Sequence, residues 1–297
     1  MKCDLCPRKC LVDRKKGEKG ICGQTENLKV ARAALHFWEE PCISGDAGSG
    51  AVFFSGCPLH CVFCQNENIA KGTVGKEISL ERLVDIFLEL QEKRANNINL
   101  VTPGHFVPQI VKALDQARRE GLTLPVVYNT SSYETVDTIK MLEGYVDIYL
   151  PDFKYMSPVL SKKYSHAPDY AEVAKAAIAE MVRQTGKAVF VNGDEDNLIL
   201  SGTIVRHLTL PGCMADSMQI LKYLHETYGD MIYISIMNQF TPLSNLEKYS
   251  ELNRRITDEE YETLVDYAID IGIENGFIQE GDTAEESFIP AFDCEGV

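Results

Sequence analysis

The stretch Ala51-Val-Phe-Phe-Ser-Gly-Cys57-Pro-Leu-His-Cys61-Val-Phe-Cys64 decides how this chain is read. Ala51–Ser55 is a short apolar run of strand type, and three cysteines spaced CxxxCxxC follow it directly. An electron-transfer cubane takes four cysteines. A set of three ligates three irons of a [4Fe-4S] cluster and leaves the fourth open to a second molecule. Such a cluster can pass an electron to a bound cofactor, and S-adenosylmethionine is a radical cofactor that accepts one. A zinc site is the rival, but zinc wants four tetrahedral ligands, and His60 is expected to point away from the sulfurs. Three cysteines buried by chance is the bland alternative. The cluster reading of Cys57, Cys61 and Cys64 is preferred.

Outward from this loop, strand-like runs alternate with amphipathic helical stretches, the pattern of parallel βα units. Strands are expected at Ala51–Ser55, Ile98–Val101, Leu124–Tyr128, Val146–Leu150, Thr203–Leu210 and Ile232–Ile236. Helices are expected near Ser79–Arg94, Pro108–Arg119, Glu134–Leu142, Tyr170–Gln184, Met214–Tyr228 and Asp258–Ile271. Ser79 is a plausible N-cap, and Thr257 with Glu260 forms a capping box. Ala188–Val191 and Leu198–Leu200 flank a possible hairpin insertion. Six units are too few for a closed eight-stranded barrel and suit an open, partial one. In parallel barrels reactive groups come from the C-terminal ends of strands. Cys57, Thr102, Asn129, Asp152, Pro211 and Asn238 all fall just after expected strands, so six segments converge on one mouth.

The expected organisation is a Cys-rich metal-binding segment over residues 1–48, the partial barrel over 49–275 and an extended acidic tail over 276–297. Ten cysteines in a 297-residue chain could signal disulfides, but their clustering suits metals in a reducing compartment. No apolar run approaches the ~18 residues that span a bilayer, and the N-terminus lacks a signal-peptide apolar region. The expected location is cytoplasmic, with no membrane partner. The net charge is −15, which argues against nucleic-acid binding, since phosphate contacts supply most of that affinity. Cys3, Cys6, Cys10 and Cys22 lie in a short, basic, Gly-containing stretch too small to bury a core. A metal there would supply its folding energy, either zinc or a second iron–sulfur cluster.

Three motifs lie in a telling order: SGCPLHCVFCQN (Ser55–Asn66), LPDFKY (Leu150–Tyr155) and VRHLTLPG (Val205–Gly212). With VYNTSSYE (Val127–Glu134) and SIMNQF (Ser235–Phe240) they give a chain that resembles the radical S-adenosylmethionine superfamily, in a subgroup related to the pyruvate formate-lyase activating enzyme. The resemblance covers roughly residues 50 to 240. It implies a (β/α)6 partial barrel and S-adenosylmethionine chelated to the open iron through its amino and carboxylate groups. Reductive cleavage then yields methionine and a 5′-deoxyadenosyl radical that abstracts hydrogen from a substrate. It also implies an electron donor of flavodoxin or ferredoxin type. Phe63 would shelter the cluster near the adenine.

Asp152 and Lys154 flank Phe153, so on a strand they project to one side. They read as contacts to the cofactor or, more plainly, as a strand-end salt bridge; the activating enzymes carry a similar Asp-x-Lys. The family's Gly-Gly-Glu after the second strand is replaced here by Val101-Thr-Pro-Gly-His105, which makes the Thr102 hydroxyl a substitute contact. Asn129, Thr130 and Ser131 read as hydrogen-bonding cofactor contacts or as a plain turn. His105 reads as a polar pocket group or a helix-terminus histidine. A buried arginine needs an anionic partner, so Arg206 is expected to face the interior and His207 to face outward. Asn238 and Gln239 complete the expected pocket. The substrate is a small molecule or peptide; the alternative is a glycyl-radical enzyme activated by this chain.

Overall fold

The molecule was analysed as a computed structural model that describes residues 2–193, 197–243, 246–279 and 290–297. Its strands are β1 (Lys29–His36), β2 (Ser49–Phe54), β3 (Lys76–Glu77), β4 (Ile98–Val101), β5 (Val126–Thr130), β6 (Ile148–Pro151), β7 (Val189–Phe190), β8 (Ile199–Leu208), β9 (Tyr233–Met237) and β10 (Gly276–Ile278). They join in the order β10-β9-β8-β6-β5-β4-β2-β1-β3, with β7 paired to β8. Neighbours from β2 to β10 along this path are parallel. The path is linear and does not close, so the open barrel read from the sequence is the observed architecture. The hairpin expected near residue 190 is the antiparallel β7–β8 pair.

Side chains alternate along the parallel strands and so meet two environments. Val52, Phe54, Leu100, Tyr128 and Tyr149 face outward and form one core with Leu83, Phe87, Ile110 and Leu114 of the covering helices. Val127, Ile148, Leu150, Ile204 and Tyr233 face inward and pack with Cys42 and Ile43 beneath the sheet. The helix Leu80–Glu92 begins where Ser79 Oγ accepts the Arg82 amide at 3.1 Å, and its buried residues Leu83, Val84, Phe87 and Leu90 keep helical spacing. The capping box on Asp258–Asp270 is also present.

Two strands depart from the sequence reading. β1 lies inside the segment assigned to the N-terminal cysteines, yet it pairs antiparallel with β2, Ala34 opposite Ala51. The expected division at residue 48 therefore falls within one sheet. β10 adds a seventh parallel strand, Phe277 opposite Ser235, where an aperiodic tail was expected. Three residues are too few to show a period, and an edge strand has one neighbour to fix it. Most of the acidic tail's middle lies outside the described residues. Its end, 290–297, lies along β1: Cys294 N donates to Ala31 O at 3.0 Å, and Ala33 N donates to Glu295 O at 2.9 Å. Arg32 pairs there with Asp293 and Glu295.

His207 faces outward as expected. Its Nδ1 lies 2.8 Å from Phe153 O and its Nε2 lies 2.8 Å from Ser217 Oγ. Burial holds its pKa down at about 4. The unfolded chain thus takes up a proton near pH 6.5 that the fold refuses until about pH 4, so this histidine stabilises fully above 6.5 and less as pH falls. The stability of the protein relative to a His207→Gln variant should shrink by roughly 3 kcal/mol between pH 7 and pH 4 in urea titrations. A constant difference would show that the folded imidazole titrates as it does in the unfolded chain.

Candidate active site

The parallel strands and the loop after β2 enclose a cavity of about 480 Å³. Cys57, Cys61 and Cys64 line it together with Phe63, Thr102, Asn129, Asp152, Lys154, Arg206 and Gln239. The loop begins at Gly56, whose φ is +93°; a Cβ there would stand 2.5 Å from the Cys22 carbonyl oxygen. Only glycine fits that turn against the N-terminal segment. His60 adopts φ +51°, and its Nε2 lies 2.8 Å from Ile21 O, so the residue between two cysteines is engaged outside the sulfur set. Arg8 clamps the same loop, donating to Pro58 O at 2.8 Å and to Ser165 O at 2.9 Å.

Burial pushes the Cys57 thiol up to about 11 and the Cys64 thiol up to about 12, with neighbouring thiols as a further cause. Cys61 is raised by burial too, while Lys154 and Ser165 act the other way. Ser165 Oγ lies 3.0 Å from Cys61 Sγ. Iron binding here would have to release these protons, so it would be coupled to pH. Among the described residues no three His, Cys, Asp or Glu side chains are placed to hold one metal ion. The cluster expected from the sequence would take one thiolate on each of three irons, and all three thiols line the same cavity. Phe63 packs among Tyr155, Tyr164 and Phe240 with ring centroids at 6.4, 6.5 and 6.0 Å, sheltering the loop.

A charged layer crosses the interior beside these cysteines. Lys154 Nζ donates to Asp152 Oδ2 at 2.6 Å, and Arg206 Nε donates to Asp152 Oδ1 at 3.0 Å. Arg206 also reaches Glu39 Oε2 at 3.0 Å and Asn129 Oδ1 at 2.7 Å. Burial disfavours every one of these charges, but mutual attraction outweighs it: Asp152 is held below its usual range and Lys154 above its own. Asp152 and Lys154 thus make the salt bridge of the plainer reading and line the cavity as well. Thr102 takes up φ +55° at the mouth.

Two expected pocket residues stand apart. His105 is buried with Nε2 2.7 Å from Ser55 O, outside the cavity lining, because its turn Gly104–Phe106 directs the ring toward β2. Asn238 is also outside the lining; its amide donates to Gln279 Oε1 at 2.9 Å. Conversely, Glu39 and Glu40 line the cavity although nothing in the local sequence distinguishes Trp38-Glu39-Glu40-Pro41 from a surface turn. Burial and the adjacent Glu39 raise the Glu40 pKa against the opposing pull of Arg206. At the N-terminus, a Cβ on Gly20 would meet Cys10 Sγ at 2.9 Å and Cys22 Sγ at 3.7 Å. Burial foremost, then Glu134, Cys22 and Cys3, push the Cys6 thiol up to about 12; Cys3, Cys6, Cys10 and Cys22 thus lie near one another in one knot, with no three of them placed to hold one ion.

Residues 51–197 match the family model described as the Radical SAM superfamily. An uncharacterised protein of Methanocaldococcus jannaschii is 27% identical over 275 residues, covering 90% of this chain and 74% of that one. Among solved structures, Streptococcus suis SuiB bound to its precursor peptide SuiA is similar with TM-score 0.51 at 13% identity, over 75% of this chain and 46% of that one. HydG, a maturase of the [FeFe]-hydrogenase, gives TM-score 0.51 at 14% identity over 76% and 50%. Methylornithine synthase gives 0.51 at 13% identity over 80% and 66%. The chain spans about half the length of the first two of these structures, and at such identities the likeness is one of fold. With the cysteine triad at the mouth of an open parallel barrel, the match over residues 51–197 makes this chain a radical S-adenosylmethionine enzyme.

Proposed function

We propose that the protein cleaves S-adenosylmethionine at a [4Fe-4S] cluster on Cys57, Cys61 and Cys64 and directs the resulting radical at a C–H bond of a small molecule or peptide within the cavity. The carrying observation is that the three thiols and the Asp152–Lys154–Arg206 network line one cavity. When bound, the cluster and cofactor supply one-electron cleavage to methionine and a 5′-deoxyadenosyl group. This chain's residues bind and orient. Lys154 and Arg206, each paired with Asp152, fix the charged wall of the pocket, while Thr102 and Asn129 line it from the strand mouths. The ring of Phe63 and its aromatic neighbours excludes water from the loop. An electron donor is required; flavodoxin or ferredoxin is the proposed type.

Anaerobic reconstitution, dithionite reduction and chromatography should give 5′-deoxyadenosine. Its absence from a preparation with full iron content would defeat the reading. Activation of a glycyl-radical enzyme is the second reading, supported by Asp152-x-Lys154. An isotropic glycyl radical signal on a co-purifying partner would favour it over small-substrate chemistry.

The N-terminal knot is proposed to hold zinc or an iron–sulfur cluster. It carries few apolar side chains of its own, and metal binding supplies folding energy where a core does not. Elemental analysis should show that Cys3→Ser/Cys6→Ser removes one class of metal from the purified protein. Unchanged zinc and iron contents would refute the site.

A further inference from the structure

Carboxyl groups in the cavity outnumber the cations facing them. Glu39, Glu40 and Asp152 line it with Arg206 and Lys154. Arg206 is committed through three nitrogens to Asp152, Glu39 and Asn129, and Lys154 Nζ is committed to Asp152. Glu40 is left over. It is 8% exposed, and its Oε2 is buried with no hydrogen-bond partner among the described residues. Asn99 holds Glu39 Oε1 through Nδ2 at 3.0 Å, while its own buried Oδ1 also lacks a partner among the described residues. Two orphaned acceptors, one of them on the carboxyl group of Glu40 that lines the cavity, call for a donor that carries positive charge.

Asp152 and Lys154 belong to the end of this layer beside the cysteines, whereas Glu39 and Glu40 reach it from the other side. Glu39 and Glu40 follow β1, whose last residue, His36, pairs with Ser49 at the start of β2. They enter the barrel from the end opposite the cysteine loop, and Glu39 reaches Asn99 low on β4 and Asn129 near the top of β5. Ser235, midway along β9, is the side chain beside Glu40. A group bound at the cysteine end therefore has this floor beneath it.

We propose that the cavity floor receives an ammonium group of the substrate, with Glu40 as its counter-ion and Glu39, Arg206 and Asn99 as the frame that positions it. This deepens the function proposed above and rests on it. A carboxylate placed there would meet unmatched negative charge, and an alkyl group would leave the orphaned acceptors desolvated. The substrate class is thus an amine, either free or as a lysine-like side chain of a peptide.

The test is calorimetric titration of the full chain, cluster reconstituted and saturated with S-adenosylmethionine. Two probes are used: Nα-acetyl-lysine methylamide, and Nα-acetyl-norleucine methylamide, which lacks the amine. The lysine probe should bind at least about tenfold more tightly, and Glu40→Gln should erase that preference. Equal affinities, no binding of the lysine probe, a preference kept in Glu40→Gln, or loss of the lysine probe when the cofactor is added would each overturn the proposal. Should Glu40→Gln not fold, the comparison of probes on the unaltered protein decides alone. The same preparation is assayed for 5′-deoxyadenosine. Amine preference without cofactor cleavage would defeat the radical reading and leave the floor standing, whereas cleavage without preference would defeat the floor.

Discussion

The Cys57→Ala protein, reconstituted anaerobically with iron and sulfide, is expected to hold less than about a tenth of the normal cluster and to form no detectable 5′-deoxyadenosine. Altering groups that merely support a metal ligand costs ~10–100-fold in metal affinity or activity, and a triad has no spare thiolate to replace a lost ligand. Cys57 stands at the joint where β2 ends and the loop begins, with the Leu59 amide 3.4 Å from its sulfur. The defect should be confined to the site. Far-ultraviolet circular dichroism should stay within error of the unaltered protein, because the parallel core on the outer face of the sheet does not touch this side chain. Iron and sulfide analysis with absorbance near 400 nm checks the first part. Full cluster content in Cys57→Ala would show that another cysteine serves as ligand.

Arg206→Met should destabilise the fold by about 3–5 kcal/mol, the usual cost of removing one partner from a buried ion pair. At roughly 2–4 °C per kcal/mol for a domain near this size, melting should drop by on the order of 10 °C. The side chain of Arg206 is 14% exposed and faces Glu39 and Asp152, at 8% and 15%. Removing it strands two carboxylates away from water, and Lys154 can compensate only Asp152, which it already contacts. The size of the loss comes from those uncompensated charges, since methionine fills much of the volume. Adding Glu39→Gln to Arg206→Met should therefore recover much of the stability, because Asp152 keeps Lys154 as its partner. A single variant as stable as the parent, or a double variant no better than the single, would show that the network is solvated and weak. Thermal unfolding followed by circular dichroism distinguishes these outcomes.

The parts of the site that were legible in sequence are those written in short spacings. Cys57, Cys61 and Cys64 lie on one loop, and Asp152 and Lys154 are two residues apart on one extended segment, so chain geometry alone nearly fixes their relation. Arg206 was assigned an interior position with an anionic partner because a buried guanidinium demands one, and the alternation along β8 placed His207 outward with it. His105 and Asn238 escaped this logic. Each follows an expected strand, but the backbone turns before the side chain reaches the cavity, and a turn's direction depends on what it packs against. Glu39 and Glu40 carried no signal at all, since a Glu-Glu-Pro sequence has the composition of an ordinary exposed bend.

By itself, the sequence determined the open parallel barrel, the cysteine loop at its mouth and the helices that cover it, because hydrophobic period and ligand spacing are local properties. Tertiary structure decided what fills the interior. The Glu39–Arg206 pair joins residues 167 positions apart, β1 turns antiparallel to cover an edge, and β10 finds its register only against β9. Buried charge is stable only opposite its complement, and which complement arrives is settled by how the chain returns upon itself.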